Sequence, residues 1–540
     1  MLEKINIFFA NKFFLKINRY LLLKKGIRAY VNFNKKIWVT KVQNNKNKVL
    51  VEVNSMCSSH QSYAYLSNIL SDKYNAKICG YDAYLYNNLY ERLDSVLARI
   101  FNLGQYYVYS SFGVNSYVNA GINSYSKAAK ILFDEIIPNL KRKDDALAIS
   151  ISGIVVGDLI YDSYLRRYDE ITVDVNDSEY RIYLLKALAF FLFWKEYFDV
   201  NKVKALVVSH CVYMHAIPLR IALAKNIPVY QASLTHIYKL SPQQYFAYKD
   251  FDEYRVKFKK INQSDAQKAL QKSKEILHRR ISGNGGVDVL QKSAIYERSG
   301  LNITVNPEKF NLNAKYILIA AHVFSDGPHA YGNFQFADFF DWIDFLNGKA
   351  KEDKNYIWLL KLHPDTSNNL HKKINEFSNR WNSLVILDPT TTNNKVINMG
   401  IKAVLTVHGS IAVEYAMLDI PVISASHNNL YRAYSFVKTA RTLEELNSFI
   451  DNINMIFKRN NKNEIYEFYY MNNIYKYNIF VHDYEKMLVE IGGYYSQFKP
   501  LIYSYFVTNF SFETHKKIID NISKYLDSNN YRMENSLDKI

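Results

Sequence analysis

The chain has 540 residues, 49% of them hydrophobic and 22% charged, with a formal net charge of +17. This length and composition exclude a disordered chain and predict an ordered globular protein of two domains with additional helical elements. The positive balance points to anionic partners such as nucleotides, acidic glycans, nucleic acid or an anionic membrane, although 45 tyrosines with abundant Lys, Asn and Ile also fit the amino-acid bias of an A+T-rich genome.

Residues 1–36 carry nine Lys or Arg against one acid, Glu3. Lys12, Lys16 and Arg19 recur at helical spacing opposite Phe9 and Phe13, as in helices that lie on anionic lipid; a solvated face over a local core is the alternative. Lysines interrupt every apolar run here, so no signal peptide is predicted. No window reaches the roughly 18 uncharged apolar residues that would span a bilayer. Cys57, Cys79 and Cys211 are odd in number and form no CxxC pair, which favours a reducing cytoplasm.

Residues 48–54 read as a strand, the segment after His60 as a helix, and 76–80 as a second strand, a first βαβ unit. An extended piece over 106–112 and a helix near 126–136 follow. Then come a long helix over 180–198, a strand at 205–208 ending at Ser209-His210, a helix to Lys225 and a strand at 227–230, followed by Ser233 to His236. This alternation predicts a doubly wound α/β domain. Within it, 153–162 places Asp158 and Asp162 four apart, on one face if helical. Asp158, beside Gly157 in apolar surroundings, is the first candidate for an acid facing a cleft; capping or pairing with Arg166 or Arg167 is its alternative. Asp162, His210 and His236 are the other catalytic candidates.

A charged helix over 265–280 and the Gly-rich 282–286 read as linker and hinge. The second domain begins with a strand at 316–320, followed by the polar loop His322, Ser325, Asp326, His329. Residues 356–360 form an apolar run that stops at Lys361-Leu362-His363-Pro364-Asp365, and a second run, 403–407, stops at His408-Gly409-Ser410. Both corners are expected beyond the carboxyl ends of neighbouring strands, where open α/β sheets bind ligands. An imidazole there can donate to a phosphate oxygen, and Gly409-Ser410 offers backbone N–H groups at a helix start. The helix over 411–418 is apolar in every direction with Glu414 as its only charge. If Ser410 is the N-cap, Val413 occupies the capping-box position, so Glu414 is left to bind ligand hydroxyls or to form an internal salt bridge. No P-loop, GxGxxG or convincing metal spacing is present.

Lys361-Leu362-His363-Pro364, followed by His408-Gly409-Ser410-Ile411-Ala412-Val413-Glu414 and Pro421-Val422-Ile423, resembles the donor half of bacterial GT-B glycosyltransferases that build capsule and lipopolysaccharide glycans. The capsular polysaccharide and Kdo-transferase groups are nearest, with bacterial sialyltransferases more distant. The resemblance covers about 110 residues of the second domain; Gly157-Asp158 ahead of Tyr161 to Arg166 is a weaker match. It implies two Rossmann-like domains with a cleft between them and additional C-terminal helices. The expected organisation is a basic segment over 1–40, an acceptor-side domain over 41–262, a linker over 263–312, a nucleotide-sugar domain over 313–460 and a helical extension over 461–540.

By the same resemblance, His363 and Ser410 would hold the nucleotide phosphate and Glu414 the ribose, with the loop from His322 to His329 also at the donor. The donor would be a CMP-Kdo-like or sialic-acid-like, UDP- or GDP-sugar, and the acceptor an oligosaccharide or glycolipid at an anionic membrane surface. No metal, other cofactor or specific nucleic acid is expected. A polyol-phosphate polymerase of the teichoic-acid type and a non-catalytic glycan- or RNA-binding scaffold are the alternatives.

Overall fold

The computed structural model describes residues 25–38, 46–83, 85, 89–246, 249–281, 303–309, 311, 314–332, 334–456, 459–475 and 479–534. The first half contains β1 (Asn47–Glu52), β2 (Lys77–Tyr81), β3 (Ser116–Val118), a ribbon of β4 (Ser150–Ile151) and β5 (Ile154–Val155), then β6 (Lys202–Val208), β7 (Val229–Ala232) and β8 (Ile237–Leu240). The main sheet runs β3-β2-β1-β6-β7-β8, parallel except for β8. This is the 3-2-1-4-5-6 order of a Rossmann sheet.

Its strands are apolar at successive positions because helices cover both faces. Leu50, Leu206 and Val208 enter one core with the helix Ser178–Val200. Val49, Val51, Ala205 and Val207 enter the other with the helix Cys57–Tyr74. The expectation of an extended piece at 106–112 fails: Gln105–Ser111 is a helix. Tyr106, Tyr109 and Phe112 recur every third residue and all are buried, a helical rather than an alternating pattern.

The second half contains β9 (Ile303–Val305), β10 (Tyr316–Ala320), β11 (Ile357–Lys361), β12 (Leu384–Leu387), β13 (Ile401–Thr406), β14 (Val422–Ser424) and β15 (Lys438–Thr439). Their order is β15-β14-β13-β10-β11-β12-β9, with only β9 antiparallel. Counted from β10, this is the same Rossmann order again, so the chain folds as two doubly wound domains. β10 lies between β11 and β13, so the two polar corners are not on neighbouring strands as expected; His322, at the end of β10, stands between them.

The helix Gln263–Ile281 is not a free linker. Ile276 and Leu277 pack into the core of the second sheet, and Ala269 is buried on the same side. The Gly-rich stretch 282–286 lies outside the described residues. At the far end, the helices Leu501–Thr508 and Phe512–Asp527 return to the first domain, where Ile502, Phe506 and Ile518 share the core of Val49 and Val51. Lys239 N–H donates to Tyr531 O at 2.8 Å and Met533 N–H to Ile237 O at 2.9 Å, which covers the open edge of β8. The helix Lys25–Ile37 buries Ile27, Tyr30 and Val31, and Tyr30 stacks on Tyr503 at 4.5 Å. Lys12, Lys16 and Arg19 lie outside the described residues.

Candidate functional site

Strand order places the site. In the second domain the connections leave β10 toward β11 on one side and β13 toward β14 on the other, so the loops after β10 and β13 part and open a crevice. A cavity of about 170 Å³ lies there, lined by His322, Lys361, His363, Gly409, Ser410 and Glu414 among others.

Lys361 ends β11 and is only 5% exposed. Its ammonium has no hydrogen-bond or ion-pair partner among the described residues. Burial pulls its pKa from 10.5 down to about 8, with the Glu414 charge acting in the opposite direction. A buried cation in an open-ended cavity is a demand for an anion.

His363 follows two residues on, and its ring is oriented by the backbone. The Asp365 N–H donates to Nδ1 at 3.1 Å. Burial lowers the imidazole pKa, so the ring is neutral near pH 7 and its proton must sit on Nε2, which is left as a donor.

His322 lines the cavity and packs against His408. Their rings lie 4.4 Å apart, the His408 N–H donates to His322 Nε2 at 3.2 Å, and His322 stacks on Phe339 at 4.9 Å. Burial holds both neutral, taking His408 to about 4 and His322 well below its ordinary value. They form the floor under the next corner. There, a Cβ on Gly409 would come to 3.0 Å from Thr406 Oγ1, so a side chain at this position would have to push that hydroxyl aside. Ser410 is exposed and makes no side-chain capping bond, which leaves its hydroxyl open to the cavity.

Of the two roles open to Glu414, the structure shows the internal salt bridge. The helix Ile411–Met417 is indeed buried nearly all round, and Glu414 is 2% exposed. Its Oε1 accepts from Arg280 Nε at 2.8 Å and pairs with Arg280 Nη2 at 2.7 Å, while Oε2 accepts from Asn393 Nδ2 at 3.1 Å. The carboxylate is therefore an internal ion-pair partner rather than an open ribose acceptor. Arg280 comes from the supposed linker helix, which sequence reasoning had no means to place beside it.

The loop after β10 reaches the first domain. Ser325 is buried and its Oγ donates to Asp169 at 3.3 Å, so it is an interdomain contact and not a donor ligand. Asp326 accepts from Tyr213 Oη at 2.8 Å and lies 3.5 Å from Arg166. His329 Nδ1 lies 2.6 Å from Asp162 Oδ1, and its backbone N–H donates to Oδ2 at 3.1 Å. That pair, too, is enclosed between the domains.

Asp158 and Asp162 do share the helix Gly157–Tyr168 one turn apart, but they face different partners. Both oxygens of Asp158 accept from Arg220, each at 2.6 Å, and Arg220 is 5% exposed at its side chain. Both oxygens of this carboxylate are engaged by a buried guanidinium, so Asp158 is not the leading candidate for an acid open to the cleft. His236 packs its ring against Tyr238 at 4.7 Å, with Nδ1 2.9 Å from Ser233 Oγ, and does not line the cavity.

The first domain has its own switch point, between β1 and β6. Glu52 ends β1 and is 2% exposed; Ser209 and His210 follow β6. Ser209 donates to Glu52 through its backbone N–H and through its hydroxyl, both at 2.7 Å, and His210 Nδ1 lies 2.8 Å from Ser209 Oγ. Burial lowers the pKa of His210, His363 and His408 alike, and the Asp326 carboxylate acts against it at each. Sequence reading passed over Glu52, although a lone carboxylate closing the run Val49-Leu50-Val51 was the available signal.

Among the described residues no group of three or more His, Cys, Asp or Glu is arranged to hold a metal, and no helix is long and apolar enough to cross a membrane. Comparison with protein-family models and with curated sequences gives no match. Comparison with solved structures gives matches at low identity and low TM-score. UDP-GlcNAc 2-epimerase from Neisseria meningitidis bound to UDP-GlcNAc is 13% identical, with a TM-score of 0.23, over 79% of this chain and 98% of that one. The Methanocaldococcus jannaschii UDP-GlcNAc 2-epimerase in complex with UDP-GlcNAc and UDP is 10% identical, with a TM-score of 0.26, over 78% and 97%. A glycosyltransferase from Rickettsia africae is 10% identical, with a TM-score of 0.23, over 90% and 100%. The fold assignment rests on the two strand orders above.

Proposed function

We propose that this protein is a GT-B-type glycosyltransferase that takes a sugar from a nucleotide donor held in the second domain and passes it to an acceptor on the first. The observation that carries the reading is Lys361, a buried ammonium with no hydrogen-bond or ion-pair partner among the described residues, in a cavity at a Rossmann switch point. Beside it, His363 Nε2–H and the Ser410 hydroxyl are uncommitted donors. Together they match the phosphate oxygens of a nucleotide, and pairing with an anion would offset the cost of burying the lysine.

Glu414 contributes through Arg280, whose charge it balances, so the ribose would be met by other groups of the cavity. Cleft residues between about 41–262 and 313–460 would then hold donor and acceptor face to face. The acceptor class follows the resemblance of the His363 and Ser410 corners: a growing capsule or lipopolysaccharide glycan, with the basic residues 1–36 suited to an anionic membrane surface. A teichoic-acid-type polyol-phosphate polymerase would use the same phosphate corner and is the second reading; a non-catalytic scaffold would leave it unused.

Calorimetric titration with CMP, UDP and GDP tests the proposal. One of the three should bind, and Lys361→Ala, His363→Ala and Ser410→Ala should each weaken it by about 1–3 kcal/mol, the range for a lost charge-assisted hydrogen bond, without unfolding the domain. No binding of any nucleotide, or equal affinity in parent and variants, refutes it.

A further inference from the structure

We propose that His210 is the catalytic base of this transferase and that Glu52 and Ser209 position it, through the chain Glu52–Ser209 Oγ–His210. The inference rests on the donor reading above. Its geometry is a count of protons. Burial raises the Glu52 pKa and the two bonds from Ser209 oppose it; with Glu52 ionised, the one hydrogen of the Ser209 hydroxyl goes to Glu52 Oε1 at 2.7 Å. Toward His210, 2.8 Å away, Ser209 Oγ can therefore only accept, so Nδ1 must carry the imidazole proton and Nε2 presents a lone pair.

His210 is half-buried at the open carboxyl end of β6, in the crevice of the first sheet. Asp326 reaches across from the loop after β10 to the neighbouring Tyr213. The base thus stands on the wall opposite Lys361 and His363. Burial keeps the ring neutral and ready to accept a proton. Glu52 is fixed by two bonds from Ser209, and His215 Nδ1 lies 3.7 Å from it.

In the step, an acceptor hydroxyl gives its proton to His210 Nε2 while its oxygen forms a bond to the anomeric carbon. The bond from that carbon to the phosphate oxygen breaks, its electron pair leaving with the nucleotide. The imidazolium that results is stabilised through Ser209 by the Glu52 carboxylate. His329, paired with Asp162 at the domain boundary, is enclosed: its Nε2 is buried, so no acceptor reaches it in this arrangement.

The test has a spectroscopic arm and a kinetic arm. Nitrogen-15 labelling of histidine in the full chain, with the His210 signal assigned by its loss in His210→Gln, reads the tautomer directly. The expected result is Nδ1–H in the parent, lost or mixed in Ser209→Ala, and a His210 proton affinity roughly tenfold weaker in Glu52→Gln. An Nε2–H tautomer in the parent, or a proton affinity unmoved in Glu52→Gln, overturns the proposal whether or not a nucleotide binds. In the kinetic arm, CMP, UDP and GDP are titrated and the nucleotide sugar of the one that binds is the donor probe. His210→Gln should bind that nucleotide within about twofold of the parent yet release it from the donor roughly 100-fold or more slowly, the scale of a lost general base. Release at the parent's rate overturns the assignment while leaving the donor site standing.

Discussion

Asp162 and His329 stand on different domains and meet between them, with Nδ1 2.6 Å from the carboxylate and a second bond from the His329 backbone at 3.1 Å. Around them, Tyr161 Oη donates to Asp338 at 2.6 Å, Lys143 lies 3.2 Å from the same carboxylate, and Thr172 Oγ1 donates to it at 2.7 Å. The loop after β10 is thus tied to the first domain by Asp162 and His329, two residues that sequence reading had assigned to the site.

The pair should make stability depend on pH in a particular direction. Burial alone would lower the His329 pKa, but the charge and hydrogen bond of Asp162, with Asp158 and Asp338 beyond, leave it raised from 6.5. A raised histidine contributes fully below its unfolded value and loses that contribution as pH climbs through the folded value. Burial also raises Asp162, against the opposing pull of His329, so the pair loses its charge in acid sooner than an ordinary carboxylate would. Asp162→Asn should cost about 1–3 kcal/mol near pH 6, and the difference from the parent in thermal unfolding should shrink toward alkaline pH. A difference that grows with pH would contradict this.

Asp158→Asn should act on stability and not on turnover. It leaves the Arg220 guanidinium, 5% exposed, without its bidentate partner, at a cost of about 3–5 kcal/mol by chemical denaturation. Activity per folded molecule should stay near the parent's; a 100-fold loss with unchanged stability would restore Asp158 to the chemistry.

Nucleotide affinity should fall as pH rises. The Lys361 pKa is lowered by burial to about 8, so the empty site loses its positive charge above that value, and a phosphate binds the charged form. In the absence of ligand the sign for folding is opposite: the unfolded chain holds this proton more tightly, so stability rises between about pH 8 and 10.5. Calorimetry at pH 7 and pH 9 should show weaker binding at pH 9, and Lys361→Met should remove most of that difference. An affinity independent of pH in the parent would place the phosphate elsewhere.

Glu414→Gln should destabilise the second domain by about 3 kcal/mol, because Arg280 keeps its charge in a site 8% exposed at its side chain. Gln keeps the hydrogen-bonding shape, so thermal unfolding should report the loss of charge. An unaltered melting temperature with a large loss of nucleotide affinity would favour a direct contact with ribose.

The sequence by itself determined the two α/β domains, because strands covered on both faces must be apolar at successive positions, and 49–51, 316–320, 357–360 and 403–405 are. It also marked His363 and Ser410, since polar residues that end such strands fall where a parallel sheet opens. What it did not determine was which strand ends meet. That depends on strand order, and the insertion of β10 between β11 and β13, which puts His322 against His408, is a property of long-range pairing. Nor did local pattern decide the partners of the charges: Glu414 with Arg280 and Asp158 with Arg220 are separated by 134 and 62 residues. A buried carboxylate must find a cation, but which one is fixed only when the cores close around them, and that closure separated the structural acids from the site.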